Sequence, residues 1–152
     1  MQRKKLCAAA VLAVLLAGLI LYLLPRPLSD LLGESSRIDT VRTYEFEIRE
    51  GQPFIDSATY PELTEEQKAR VFALCRQYSY RRTLGTPFSD GSISGLGNRL
   101  LDIFVTGGDA APQSVTVSST GKLAIANRVY KMNHAERFLE QMEEVLGEPP
   151  SA

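Results

Sequence analysis

Tryptophan does not occur in this chain, histidine occurs once and cysteine twice. A lone His134 cannot build a histidine-rich zinc centre, and it has no second base with which to form a Ser–His pair. Cys7 lies in an apolar run near the start, so Cys75 has no partner and an internal disulfide framework is excluded. No Asn-x-Ser/Thr acceptor is present, which fits a bacterial exported protein better than a eukaryotic secretory one. Surplus positive charge is missing too. Setting aside Arg3, Lys4 and Lys5 leaves 14 basic against 18 acidic residues, a net of −4. A mildly acidic exterior argues against binding nucleic acid or anionic lipid by charge alone.

What is present begins with Leu6 to Leu24, a run without charge whose one polar group is the phenol of Tyr22. Its roughly 28 Å as a helix is close to the hydrocarbon thickness of a bilayer. Arg3, Lys4 and Lys5 precede it, and on the far side Arg26 is alone, with Asp30 and Glu34 beyond. The positive-inside rule then places residues 1–5 in the cytoplasm and the bulk of the chain outside the cell membrane. A cleaved signal is the alternative reading. Signal cores are shorter, about 7–15 residues, and end in small residues, whereas this run ends Leu-Tyr-Leu-Leu-Pro-Arg-Pro. Leu16-Ala17-Gly18 opens like a lipoprotein signal, but Leu19 stands where the lipidated cysteine belongs. The expectation is an uncleaved single-pass anchor over 6–24, stopped by Pro25 and Pro27.

Residues 25–37 read as a stalk, with Ser29 capping one turn through Leu31 and Leu32 before Gly33, two leucines that give the turn reason to lean on the domain or the membrane surface instead of floating free. Residues 38–147 read as one extracytoplasmic domain, and 148–152 as a tail. Within the domain, Ile38 to Arg49 alternates, with Ile38, Tyr44, Phe46 and Ile48 on one face and Asp39, Glu45, Glu47 and Arg49 on the wet one. Arg42 interrupts the apolar face and is expected near a strand end. A short return strand follows over Phe54 to Ala58. Thr64 and Gln67 have capping-box spacing, opening a helix with the stripe Val71, Phe72, Cys75, Tyr78 that ends near Ser79. Tyr80 to Leu84 reads as a strand. From Arg99 the pattern is a meander: Leu101, Ile103 and Val105, then Val115 and Val117, a turn at Thr120-Gly121, Leu123 and Ile125, and a short strand at Val129 to Lys131. Asn133 with Glu136 would cap a last helix carrying Ala135, Phe138, Leu139, Met142, Val145 and Leu146 inward, which Gly147 ends. Its other face, Glu136, Glu140, Glu143 and Glu144, reads as solvated surface. The fold class is α+β, a transmembrane helix followed by one antiparallel sheet with two amphipathic helices packed on it.

Motifs for chemistry are weak. Cys75 falls on an apolar stripe, which suits a buried thiol better than a nucleophile. Gly91-Ser92-Ile93-Ser94-Gly95 has Ile93 where a nucleophile elbow needs serine. Gly95-Leu96-Gly97 lacks a third glycine and precedes a strand, so it is no phosphate cradle. No catalytic, cofactor-binding or metal-ligating residue is assigned. Residues 85–98 form a long Gly- and Ser-rich loop, expected to be mobile, in which Phe88, Asp90 and Ser92 offer a mixed surface to a partner.

The basic start and apolar run to Leu24, Leu28-Ser29-Asp30-Leu31-Leu32, the strand through Tyr44 and Phe46, Tyr80-Arg81-Arg82-Thr83-Leu84 after a helix, and Gly121 to Tyr130 before the last helix form a recognisable order. In it the chain resembles small membrane-anchored extracytoplasmic proteins of Gram-positive bacteria, a group that implies no particular activity. The expected function is a non-enzymatic binding or accessory module engaging an extracytoplasmic protein, peptide or cell-wall component, with no nucleic acid and no cofactor. Two alternatives remain: an inhibitor-like domain acting on a secreted enzyme, or an extracytoplasmic enzyme with its site near the 85–98 loop.

Overall fold

A computed structural model describes residues 2–93, 98–106 and 113–147, with side chains from residue 9 onward. The elements run α1 (Gln2–Leu23), β1 (Arg26–Pro27), α2 (Ser29–Leu32), β2 (Ile38–Arg49), β3 (Gln52–Tyr60), α3 (Glu65–Gln77), β4 (Ser79–Arg81), β5 (Arg99–Val105), β6 (Gln113–Ser118), β7 (Lys122–Ile125), β8 (Arg128–Met132) and α4 (Ala135–Leu146). The strands form one antiparallel eight-stranded sheet in the order β1-β4-β8-β7-β6-β5-β2-β3. The meander β5-β6-β7-β8 occupies its middle, and the β2–β3 hairpin is added at one side.

Helices α3 and α4 lie on one face and complete the main core. Val71, Leu74 and Cys75 from α3 and Phe138, Leu139, Met142 and Leu146 from α4 meet Val41, Leu101, Ile103, Val105, Val115, Val117 and Leu123 from the strands. Strands β5, β6 and β7 each give every second residue to that face, as a pleated strand must. The cap of α3 is the expected box: Thr64 Oγ1 accepts from Gln67 N at 3.1 Å, and Gln67 Oε1 accepts from Thr64 N at 3.0 Å. Gln67 also ties the two helices together, since its Nε2 donates to Leu146 O at 3.4 Å.

Several sequence expectations are corrected. Residues 25–37 do not stand clear as a free stalk but lean on the domain, the alternative that Leu31 and Leu32 left open. Arg26–Pro27 pairs with β4, Leu28 N donates to Tyr78 O at 2.9 Å, and Leu28 and Leu32 are fully buried. The segment from Arg26 to Leu32 is thus paired with the sheet and packed into the core. Leu28, not Ser29, holds the N-cap position of α2 and makes no side-chain cap, whereas Gly33 ends it at φ 75° as expected. The predicted strand 80–84 shortens to Ser79–Arg81, because beyond Arg81 the chain leaves β8, and Leu84 is exposed. His134, at φ 55°, takes the N-cap position of α4 that Asn133 was expected to hold, without a side-chain cap.

The faces of β2 also differ from simple alternation. A register shift between Ile38 and Thr40 puts Ile38 and Val41 together on the helix side. Past this bulge, Tyr44 and Phe46 turn to the opposite side of the sheet, where they pack with Ile93, Leu100, Ala124 and Val129 in a second, smaller cluster. One extra residue reverses the sense of every side chain after it.

Among the described residues no helix is long and apolar enough to cross a membrane. The expected span over 6–24 thus rests on the sequence. What the structure adds is that Val11, Leu12, Val14, Leu15, Leu16, Ile20 and Leu21 are all exposed, so the domain covers none of them.

Candidate functional site

The β2–β3 hairpin outruns the sheet. β5 begins at Arg99, opposite Glu45, so beyond one further bond from Phe46 N to Asn98 O the hairpin continues as two strands alone. The register places Phe46 against Ile55 and Ile48 against Pro53 on the side away from the helices. Among the described residues nothing packs there, and Ile48 is 62% and Ile55 56% exposed. Phe54 lies on the other side, its ring 4.0 Å from the Arg49 guanidinium, which is in turn held by Glu47 at 2.7 Å. β3 is the edge strand and is exposed from Gln52 to Ser57. Its outward backbone groups are free for strand addition, and Pro53 limits that edge at its first turn.

Between this edge and α4 lies an open cleft of about 690 Å³, walled by Glu45, Asp56, Arg99, Leu139 and Glu143. Arg99 organises it. Its guanidinium stands 3.5 Å from Glu136, 4.0 Å from Glu140 and 3.5 Å from Glu143. The face of α4 read as plain solvated surface is therefore gathered around one cation. Because the three carboxylates are each at least half exposed, every such pair contributes little to stability. The chemical consequence is local charge: Glu45, Asp56 and Glu143 line the cleft, while its guanidinium, Arg99, is already shared among Glu136, Glu140 and Glu143.

On the outer face, Arg42 and Asp102 are cross-strand partners. Arg42 was expected near a strand end, but it lies well inside β2, donating from Nη1 to Tyr44 Oη at 3.2 Å and facing the Phe104 ring at 5.2 Å. Burial pushes the Asp102 carboxyl above its ordinary range, opposed by the Thr116 hydroxyl and by Arg42. A raised folded-state pKa stabilises the fold at low pH, and this contribution is lost as pH rises through the folded value. Asp102→Asn is therefore expected to be more stable than the parent at pH 7 by less than about 2 kcal/mol. The gain should vanish toward pH 3. Urea midpoints at the two pH values measure it, and an equal gain at both would show that ionisation is not the cause.

The sequence-predicted loop is not free. Ser89 Oγ accepts from Val129 N at 2.8 Å and donates to Thr86 O at 2.7 Å, Arg128 donates to Pro87 O, and Ile93 is buried. Asp90 and Ser92 are joined in a local turn, with Asp90 Oδ1 accepting from Ser92 N at 2.9 Å. Phe88, which ends a short 3-10 turn over Thr86–Phe88, is 89% exposed. Ser94 to Gly97 lie outside the described residues. The hollow beside the loop, about 360 Å³, is lined by hydroxyls, Lys122 and Lys131, with no carboxylate, imidazole or thiol among the described residues. Cys75 is buried against the sheet, and burial pushes its thiol up to about 12. His134 is exposed. No group of three or more metal-ligating side chains occurs among the described residues.

Sequence reasoning missed Arg99 and, although it expected a return strand over Phe54 to Ala58, missed how far the hairpin extends beyond the sheet. Arg99 carries no local signal, because its partners lie 37 to 44 positions later. The alternation of β2 marks Ile48 as buried, whereas among the described residues no element covers it. No family model, no curated protein and no solved structure matches this chain.

Proposed function

We propose that this protein is a membrane-anchored extracytoplasmic module that works by binding, with α1 as its anchor and the β2–β3 hairpin as its contact with a protein or extended peptide. The observation that carries the reading is the uncovered hairpin: Ile48, Phe54 and Ile55 exposed beside an open strand edge. Exposed apolar groups clustered on one projecting element favour a partner over solvent, and a free edge favours an extended one. The anchor is supported by the helix itself. A helix apolar on all sides and uncovered by its own domain is costly in water and favourable in lipid. Arg3, Lys4 and Lys5 before it favour a cytoplasmic amino end.

The test is site-specific photo-crosslinking in cells with the full chain. A crosslinker at Ile55 is expected to give a reproducible adduct that Ile48→Asp abolishes, while one at exposed Arg76 on α3 gives none. Equal yields at both positions would defeat the proposal. A second reading, an inhibitor-like domain, is favoured by Tyr44 and Phe46, which extend the same outer face toward the centre of the sheet. It predicts that the captured partner is an enzyme whose activity falls when the domain is added.

A further inference from the structure

The chain passes from α1 to the sheet with only Leu24 and Pro25 between them. β1 then runs antiparallel to β4, Arg26 opposite Tyr80 and Pro27 opposite Ser79, so β4 points back toward the end of α1. The Arg82 guanidinium, directly after β4, sits 5.1 Å from the ring of Tyr22. The segment from Arg82 to Phe88 therefore leaves β4 toward the side from which α1 arrives. On that segment Leu84 is 68% and Phe88 89% exposed, the most exposed large apolar residues outside α1 among the described residues. Arg128, bonded to Pro87 O, stands beside them.

The charge at this end is segregated. Arg81, Lys131 and Lys122 lie in one cross-strand row on β4, β8 and β7, all three exposed. Like charges facing one another across strands are unfavourable without a counter-charge. Among the described residues, none of the three makes an ion pair with a carboxylate; Asp30 and Asp90 are the acidic residues on the neighbouring segments. At the far side of the sheet, Glu136, Glu140 and Glu143 of α4 gather around Arg99, and Glu45 and Asp56 of the β2–β3 hairpin line the same cleft. The net negative charge of the chain thus conceals a basic end.

We propose that Leu84 and Phe88, flanked by Arg82 and Arg128 and by the row Arg81–Lys131–Lys122, seat this end of the domain on an anionic phospholipid bilayer beside α1. The proposal rests on the reading of α1 as an anchor and adds the orientation of the domain above it. Phenylalanine and leucine enter the headgroup–acyl boundary, while arginine and lysine reach phosphate at the same level. The short connection holds the patch near the surface, so even weak lipid contacts act at high effective concentration.

The absence of tryptophan makes the test direct. Full chains carrying Phe88→Trp or, separately, Tyr22→Trp are reconstituted into vesicles of phosphatidylcholine with or without phosphatidylglycerol, containing lipids brominated on their acyl chains. Phe88→Trp is expected to show blue-shifted emission and about a twofold quenching in the anionic vesicles, as insertion to the headgroup–acyl boundary requires. Adding Lys122→Glu and Lys131→Glu, both exposed, should reduce that quenching to the level in neutral vesicles. If Tyr22→Trp is quenched while Phe88→Trp emits as in water, the lipid seat is wrong and the anchor stands. If neither is quenched, the anchor reading fails and the seat with it. Quenching of Phe88→Trp unaffected by the glutamates would overturn the part assigned to anionic headgroups.

Discussion

A chain shortened to begin at Ile38 is expected to lose cooperative unfolding, whereas one that begins at Pro25 keeps it. The segment between them looks like a linker by composition, yet Leu28 and Leu32 have no exposed surface. Removing a buried leucine costs about 2–5 kcal/mol, so losing two approaches the whole stability of a small domain, about 5–15 kcal/mol. Polar ties go as well. Gln113 Nε2 loses Leu31 O at 3.0 Å, Tyr78 O loses Leu28 N, and Thr106 N loses Arg37 O at 2.8 Å. Urea unfolding followed by circular dichroism measures the outcome. The same midpoint and slope for both chains would mean that the segment packs without stabilising anything.

Phe138→Ala is expected to destabilise the protein by about 3–5 kcal/mol, the usual range for truncating a fully buried phenylalanine. Its ring is the largest fully buried side chain and stands edge-on to Tyr78, with centroids 5.1 Å apart. Tyr78 is itself fixed by a bond from its hydroxyl to Gln141 Oε1 at 2.6 Å. The cavity would thus open where α3, α4 and the sheet meet, among groups with little freedom to collapse into it. In a domain of this size the melting temperature should fall by on the order of 20 °C. Phe88→Ala is the control. At 89% exposure it should change stability by no more than about 0.5 kcal/mol. Similar losses from the two would contradict the assignment of Phe138 to the core and Phe88 to the surface.

The contrast between those phenylalanines shows where sequence reading succeeds. Phe138 lies on a stripe repeated over three turns, and the repetition identifies its burial. Phe88 lies in a loop without a period, and its exposure follows only from how Ser89, Arg128 and Ile93 hold that loop to the sheet. The capping box at Thr64 and the glycine ends at Gly33 and Gly147 were equally readable, since each involves residues within a few positions. Arg42 was readable only as an anomaly. Its cross-strand partner Asp102 is sixty positions away, and no local pattern connects them.

Periodicity and capping within short windows of the sequence were enough to give the α+β class, the meander from Arg99 to Lys131, and the two amphipathic helices. The long apolar run before Pro25 also belongs there, since hydropathy is a property of composition. Tertiary structure alone decided how Arg26 to Leu32 join the sheet and core, which face of β2 is inside, and which surfaces stay uncovered. Those outcomes depend on a one-residue bulge, on a two-residue strand that has meaning only beside β4, and on a hairpin longer than its neighbour. Each is a matter of register between distant segments, which periodicity along a single strand does not encode.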